Sequence, residues 1–101
     1  MRTLTDDTFT EGVRAGAVLV EFTASWCPPC RMIEPVLAEL DRELDSVEFA
    51  KIDTDANPRT ARDLGVMGMP TLQLYRDGEL VAQLVGARPK SQLVAWLEPH
   101  L

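Results

Sequence analysis

The most informative stretch of the sequence is TASWCPPCRMIEP, residues Thr23 to Pro35. It contains both cysteines of the chain, Cys27 and Cys30, with two prolines between them and a tryptophan in front. Three uses of such a pair compete: a structural disulfide, half of a metal site, or a dithiol that makes and breaks a bond. The sequence on either side helps to decide among them.

A buried strand and an amphipathic helix flank the cysteines. AVLVEFTA, residues 17–24, is a nearly continuous apolar run, typical of a strand buried on both faces. On the other side, apolar residues recur at helical spacing at Ile33, Val36, Leu37, Leu40 and Leu44. They predict a helix from Pro29 to Leu44. The cysteines therefore fall where a strand passes into a helix, which is where chemistry gathers in open α/β sheets.

The remaining segments continue an alternation of helices and strands. A short capped helix is predicted at LTDDTFTEGVRAG (4–16) and a strand at SVEFAKID (46–53). A second helix, with Asn57 as its N-cap, is predicted at ANPRTARDLG (56–65). The chain then forms a hairpin that turns at Asp77-Gly78, PTLQLYRDGELVAQLVGA (70–87), and a last helix, PKSQLVAWLEPHL (89–101). The pattern also allows a first strand at Arg2–Leu4. We therefore expect one α/β domain, residues 1–101, with a mixed central sheet flanked by helices on both faces.

Composition limits the partners and the compartment. A net charge of −6 argues against nucleic acid as a partner, because the protein would repel phosphate backbones. The longest apolar run, Ala17 to Val20, is far shorter than the ~20 residues of a membrane helix, so no membrane association is expected. The N-terminus lacks the apolar core of a signal peptide. We expect a cytoplasmic monomer, since 101 residues can bury a core alone.

The position of the cysteines favours redox chemistry. A disulfide that closes so short a loop stabilises a fold only slightly. A structural zinc site needs four ligands, and beyond the cysteines the chain offers one histidine, His100, near its end, so no metal is expected. Cys27, at or just before the first helical residue, would have its thiolate stabilised by the helix N-terminus. Cys30, one turn further in and more buried, would serve as the resolving thiol.

By these residues the sequence resembles the thioredoxin family over almost its whole length. The resemblance lies in separated stretches: VLVEF, WCPPCRMIEPVLAEL, AKIDTDANP, GVMGMPTLQLYRDGE and VGA. It implies a thioredoxin fold and the reduction of disulfides in target proteins, with no cofactor bound to the chain. It also implies re-reduction by an NADPH-linked thioredoxin reductase.

The resemblance also implies roles for individual residues. Cys27 matches the family's nucleophile and Cys30 its resolving cysteine, while Trp26 matches the tryptophan beside the disulfide. Pro70 matches the family's cis-proline; the alternative interpretation is an ordinary trans proline at the start of a strand. The expected substrate groove comprises Trp26, Pro28, Gly68, Met69, Pro70, Gly86 and Ala87.

Two charged residues interrupt apolar strands, and each has two readings. Glu21 and Lys51 either lie at sheet edges in water or form a buried pair beneath the cysteines, as the resemblance suggests. In the second reading, which we favour, burial raises the pKa of Glu21 and makes it a general base for Cys30. A carboxylate in the middle of a buried strand is otherwise costly.

Three positions depart from the usual pattern of the family. Pro28 stands where the family normally has glycine, Thr23 where tryptophan is common, and Glu21 where aspartate is usual. Pro28 stiffens the turn and removes one N–H that would solvate a thiolate. Two alternatives to a reductase therefore remain: a more oxidising, isomerase-like member of the fold, or a binding and assembly module that does not need the cysteines.

Overall fold

A computed structural model describes residues 1–101, and its centre is a five-stranded sheet in the order β1-β3-β2-β4-β5. The elements are β1 (Arg2–Leu4), α1 (Phe9–Gly12), β2 (Ala17–Thr23), α2 (Pro28–Glu43), β3 (Glu48–Asp53), α3 (Pro58–Asp63), β4 (Thr71–Arg76), β5 (Glu79–Val85) and α4 (Lys90–Leu97). Strands β1, β3 and β2 are parallel, whereas β4 and β5 run antiparallel to their neighbours. The predicted mixed sheet is confirmed, including the first strand.

Alternate residues of β2 supply the two halves of the core. Val18, Val20 and Phe22 pack with side chains of α1 and α3 on one face of the sheet. Leu19 packs on the other face with side chains of α2 and α4, among them Leu37. Helices therefore cover both faces, as predicted. Because side chains alternate along a strand, Glu21 lies on the same face as Leu19, beneath α2.

The hairpin turns at the predicted dipeptide. Asp77 (φ 51°) and Gly78 (φ 86°) both have left-handed backbone, which is the requirement of a two-residue type I′ turn. The Asp77 carboxylate accepts a hydrogen bond from the Gly16 N–H at 2.8 Å. The Asp77 N–H donates to the Gly16 carbonyl at 2.9 Å. The hairpin is thereby tied to the start of the central strand β2.

The ends of the helices differ from the expectation, α2 by one residue at each end. Helix α1 is confined to Phe9–Gly12, and helix α4 ends at Leu97, with the chain passing into a 3-10 turn at Glu98–His100 that contains Pro99. Asn57 occupies the N-cap position of α3, but its side chain makes no cap bond. No helix has the length and apolar character needed to cross a bilayer.

Asp6 supplies the missing cap of α3. Its carboxylate accepts hydrogen bonds from the N–H groups of Arg59 at 3.2 Å and Thr60 at 2.8 Å. The Asn57 side-chain oxygen instead accepts from the Asp6 N–H at 2.9 Å. Asp6 therefore caps α3 in place of Asn57, and these hydrogen bonds join the segment before α1 to α3.

Candidate active site

The two cysteines lie at the junction of β2 and α2, as predicted. Cys27 is the N-cap residue of α2, with extended backbone (φ −99°, ψ 102°), and Cys30 lies in the first turn of the helix. Their sulfurs are joined in a disulfide, and their Cα atoms are 5.3 Å apart. The N-terminus of the long helix therefore points at the redox-capable sulfurs.

One backbone amide of α2 donates a hydrogen bond to the sulfur of Cys27. The Cys30 N–H donates a hydrogen bond to Cys27 Sγ at 3.2 Å. Pro28 and Pro29 occupy the first two helical positions, and neither has an N–H to offer. The Cys30 amide is therefore the first donor of the helix. Together with the helix dipole, it favours negative charge on Cys27 when the disulfide opens.

The exposure of the two cysteines follows the expected order but differs little. Cys27 is 2% exposed and Cys30 is fully buried. The neighbouring Trp26 is 65% exposed, so the tryptophan forms the visible surface beside the disulfide.

Met69, which precedes Pro70, packs against the two cysteines. The Met69–Pro70 peptide bond is cis, as the resemblance implied. The Met69 side chain packs on the small cluster formed by Ala24, Cys27 and Cys30. The Pro70 carbonyl accepts a hydrogen bond from the Gly86 N–H at 2.8 Å. That bond joins the Met69–Pro70 segment to the residue that follows β5.

Two glycines, Gly68 and Gly86, lie at positions of the expected substrate groove where a side chain would be disfavoured. A Cβ on Gly68 would lie 3.3 Å from Cγ1 of Val85. Gly86 has a left-handed backbone (φ +97°), which disfavours any side chain. Ala87, expected in the groove, packs its methyl toward the α2 and α4 core cluster, and Pro28 is exposed at the start of α2. Of the expected groove residues, the structure places Met69 against the cysteines, Pro70 next to it, and Gly86 in a hydrogen bond with Pro70.

Glu21 is a buried carboxyl group without a partner. The residue is fully inaccessible, and neither carboxylate oxygen has a hydrogen bond. Burial is the main cause that raises the pKa of Glu21, the charge of Glu34 adds to it, Lys51 partly opposes both, and the resulting pKa is about 8. The prediction of a buried acid with a raised pKa is confirmed, and the reading that placed Glu21 at a solvated edge is wrong.

The predicted buried pair of Glu21 and Lys51 does not form. The two residues are opposite each other in the parallel register of β2 and β3. Nevertheless, the Lys51 ammonium lies 3.6 Å from Glu34 Oε1, and its side chain is 40% exposed. A long lysine side chain can keep its charged end in water, whereas burying both charges would require each to lose its hydration.

Glu34 is the residue that sequence reasoning missed. It follows Cys30 by four positions, so both lie on one side of α2. Its Oε2 also accepts a hydrogen bond from the Thr23 hydroxyl at 3.4 Å. The i, i+4 spacing from Cys30 was a signal in the sequence that could have found it.

The structure contains no group of three or more histidine, cysteine or acidic residues placed to hold a metal ion. The sulfurs of Cys27 and Cys30 are bonded to each other. His100 lies in the C-terminal 3-10 turn, where its carbonyl accepts a hydrogen bond from Arg76.

Comparisons with known proteins agree with this geometry. A sequence model described as thioredoxin matches residues 1–99. The chain is 47% identical to thioredoxin of Bacillus subtilis, over 96% of this chain and 94% of that protein. It is 46% identical to thioredoxin of Staphylococcus haemolyticus, over 97% of this chain and 95% of that protein. With its cysteine pair and its mixed sheet, the chain therefore belongs to the thioredoxin family, has the thioredoxin fold, and is a protein thiol–disulfide oxidoreductase.

Proposed function

We propose that Cys27 is the nucleophile and Cys30 the resolving thiol in the reduction of disulfides in other proteins. The observation that carries this assignment is the 3.2 Å hydrogen bond from the Cys30 N–H to Cys27 Sγ at the N-terminus of α2. The bond and the helix dipole favour a thiolate on Cys27 rather than on Cys30. The thiolate, not the thiol, attacks disulfides.

The reaction proceeds in two exchanges. The Cys27 thiolate attacks one sulfur of the substrate disulfide, forming a mixed disulfide and releasing the other substrate sulfur as a thiolate. Cys30 then loses its proton and attacks Cys27 Sγ, which releases the second substrate sulfur. Two electrons pass from the dithiol to the substrate, and the Cys27–Cys30 disulfide is left in the protein.

Glu21 is proposed as the base that takes the proton from Cys30. It lies on the face of the sheet that α2 covers, and no other group holds its oxygens. With a pKa of about 8, roughly one-tenth of Glu21 is ionised at pH 7. Lys51, opposite Glu21 across the strands, favours the ionised form. The rate of the second exchange should therefore rise with pH up to about 8.

The groove beside the disulfide is proposed to hold an extended segment of the substrate. Its backbone would pair with that of Met69, next to Pro70, as in other cases where a peptide adds along a strand. Exposed Trp26 supplies the apolar contact area on the other side of Cys27. The proposed contact residues are Trp26, Pro28, Gly68, Met69, Pro70, Gly86 and Ala87.

Family membership implies disulfide-containing protein substrates and a reductase as partners in general. We propose more narrowly that an NADPH-linked thioredoxin reductase regenerates the dithiol. The protein would act as a single-domain monomer in the cytoplasm, where a close cysteine pair is more often catalytic than structural. Nucleic acid is not expected as a partner, because the net charge is −6.

Cysteine variants test the proposed roles directly. With insulin as the disulfide substrate, and NADPH and a bacterial thioredoxin reductase as the electron source, Cys27→Ser should abolish turnover. Cys30→Ser should instead accumulate a mixed disulfide, visible by non-reducing electrophoresis and intact mass. Residual turnover by Cys27→Ser would exclude the mechanism. A biological effect that survives replacement of both cysteines would identify a binding module.

The reduction potential separates a reductase from an oxidising member of the fold. Equilibration with graded dithiothreitol or glutathione buffers should give a value near that of thioredoxin, about −270 mV. A value near the roughly −180 mV of protein disulfide isomerase would contradict the proposed direction of electron flow. In that case Pro28 would be the first residue to replace with glycine.

A further inference from the structure

The charges around Glu21 are arranged asymmetrically. On β3, Lys51 is the cross-strand neighbour of Glu21, yet its ammonium is directed to Glu34. Glu21 is left with no hydrogen bond and no ion pair, although it is fully buried. Lys51 thus has two carboxylates in its neighbourhood, and its ammonium is directed to the one nearer water, where the charge keeps its hydration. An ion pair there also keeps that charge away from Glu21.

Glu34 has the position to hold Lys51 away from Glu21. Its carboxylate bridges two elements, with Oε1 3.6 Å from Lys51 Nζ and Oε2 accepting from the Thr23 hydroxyl at 3.4 Å. Glu34 and Lys51 together line two neighbouring grooves of about 480 and 530 Å³ that open to water. The ion pair therefore joins α2 to β3 at a partly exposed position, and both of its charges act on the buried Glu21.

We propose that Glu34 is a positioning residue for the proton-transfer step: it holds the Lys51 ammonium on the water side of the sheet and so prevents that charge from neutralising the buried Glu21 carboxylate. This inference rests on the proposed role of Glu21 as the base for Cys30. A base whose pKa lies far above the working pH stays protonated and cannot accept a proton, and one whose pKa is lowered too far by a paired lysine is too weak. Glu34 would set the balance between these limits.

The other charged groups near Glu21 do not take over this role. On β3, Asp53 uses its carboxylate to accept from the N–H groups of Asp55 and Ala56. On α2, Arg31 donates to the Ser25 carbonyl at 2.8 Å, and Cys30 is held in the disulfide. Strand β4 and helix α4 present leucines to this cluster of the core. Glu34 and Lys51 are the charged groups that remain to act on Glu21.

The test follows the titration of Glu21 itself. The carboxyl carbon of ¹³C-labelled Glu21 is observed by NMR in the oxidised protein from pH 5 to pH 10, with Glu21→Gln to assign the resonance. Four proteins are compared: the parent chain, Glu34→Gln, Lys51→Met, and the double variant. Methionine keeps the length and apolar stem of lysine without its charge. The matched control is Glu43→Gln, about 14 Å further along α2.

The proposal predicts a specific pattern of titration midpoints. Glu34→Gln should lower the midpoint of Glu21 by roughly one unit, because Lys51 is released toward it and one negative charge is removed. In the Lys51→Met background the same substitution should lower the midpoint by less than half as much, since no ammonium remains to be released. Glu43→Gln should leave the midpoint unchanged. Retained far-ultraviolet circular dichroism would show that each variant is folded.

Two results would overturn the proposal. An unchanged midpoint in Glu34→Gln would show that Glu34 does not influence Glu21. An equal shift with and without Lys51 would show that Glu34 acts only through its own charge and does not position the lysine. Because the titration is read from the oxidised protein, neither result depends on turnover.

A kinetic measurement links the titration to the reaction. The release of product from the Cys27 mixed disulfide, followed by stopped flow across the same pH range, should shift with Glu34→Gln in parallel with the NMR midpoint. If Glu21→Gln leaves that pH profile unchanged, the proposed base role fails, whatever the NMR shows. If the base role holds and the midpoints do not move, only the inference about Glu34 fails.

Discussion

Replacement of Glu21 by glutamine should make the protein more stable, and increasingly so as the pH rises. The folded state keeps the Glu21 proton up to a pKa of about 8, whereas the unfolded chain releases it near the ordinary value of 4.5. Between these values unfolding releases a proton, so raising the pH favours the unfolded state. The stability associated with protonated Glu21 is therefore complete below pH 4.5 and is lost up to about pH 8.

The size of this effect follows from the two pKa values. One unit of difference corresponds to about 1.4 kcal/mol. From 4.5 to about 8, the cost of Glu21 relative to a neutral side chain is about 1 kcal/mol at pH 5, about 3 at pH 7 and about 5 at pH 9. Glutamine also leaves polar atoms unpaired at this site, which changes the free energy of unfolding of the variant by an amount that does not depend on pH. The quantity to measure is therefore how much the difference in free energy of unfolding between Glu21→Gln and the parent grows from pH 5 to pH 9, which should be about 4 kcal/mol.

Urea unfolding of the oxidised proteins at pH 5, 7 and 9 gives the required free energies by linear extrapolation. The gap between Glu21→Gln and the parent should widen across this range, and other titrating groups cancel in the difference. Glu79→Gln, at an exposed position on β5, removes the same charge and serves as the control. Parallel stability curves for Glu21→Gln and the parent would show that Glu21 is not buried as a protonated acid and would refute this reasoning.

Substitutions at three further positions test the packing and capping of the helices. Leu37→Ala should lower the free energy of unfolding by about 2–5 kcal/mol, because Leu37 is fully buried on the sheet-facing side of α2; a loss below 1 kcal/mol in urea would mean that this part of the core is loosely packed. Pro28→Gly should cost about 1 kcal/mol, since proline is preorganised for the first helical position; an unchanged urea midpoint would contradict this. Asp6→Ala should lower Tm by removing the cap of α3, and Asp6→Asn, which keeps an acceptor, should lower it less; equal losses would argue against capping.

The architecture was predictable because its signals are local. The apolar run before the cysteines identified the central strand, and Asp77-Gly78 identified the hairpin turn. The cap of α3 was not predictable in the same way. Asn57 has the right residue type in the right place, but Asp6, 51 residues earlier, is brought to the helix by tertiary structure and takes the role. Local propensity cannot anticipate a competitor that arrives from another part of the chain.

In the site, too, the features set by local sequence were predictable and the one set by tertiary structure was not. The positions of Cys27 and Cys30 at the helix N-terminus followed from sequence spacing, and the burial of Glu21 followed from its place in an apolar strand. The partner of Lys51 did not. The choice between Glu21 and Glu34 depends on where a flexible side chain finds water, which the order of residues along a strand does not specify.

The cost of Glu21 is itself an argument for its function. Folded domains are commonly stable by only about 5–15 kcal/mol, so about 3 kcal/mol at pH 7 is a large loss at one position. The neighbours of Glu21 along β2 are valine, leucine and phenylalanine, and an apolar residue would suit the same place. In the proposed mechanism, Cys27 has the Cys30 amide and the helix dipole to stabilise its charge, but Cys30 must lose a proton in a buried site before it can attack. A carboxyl group on the sheet face beneath α2, with its pKa raised to about 8, meets that need, and a valine there would not.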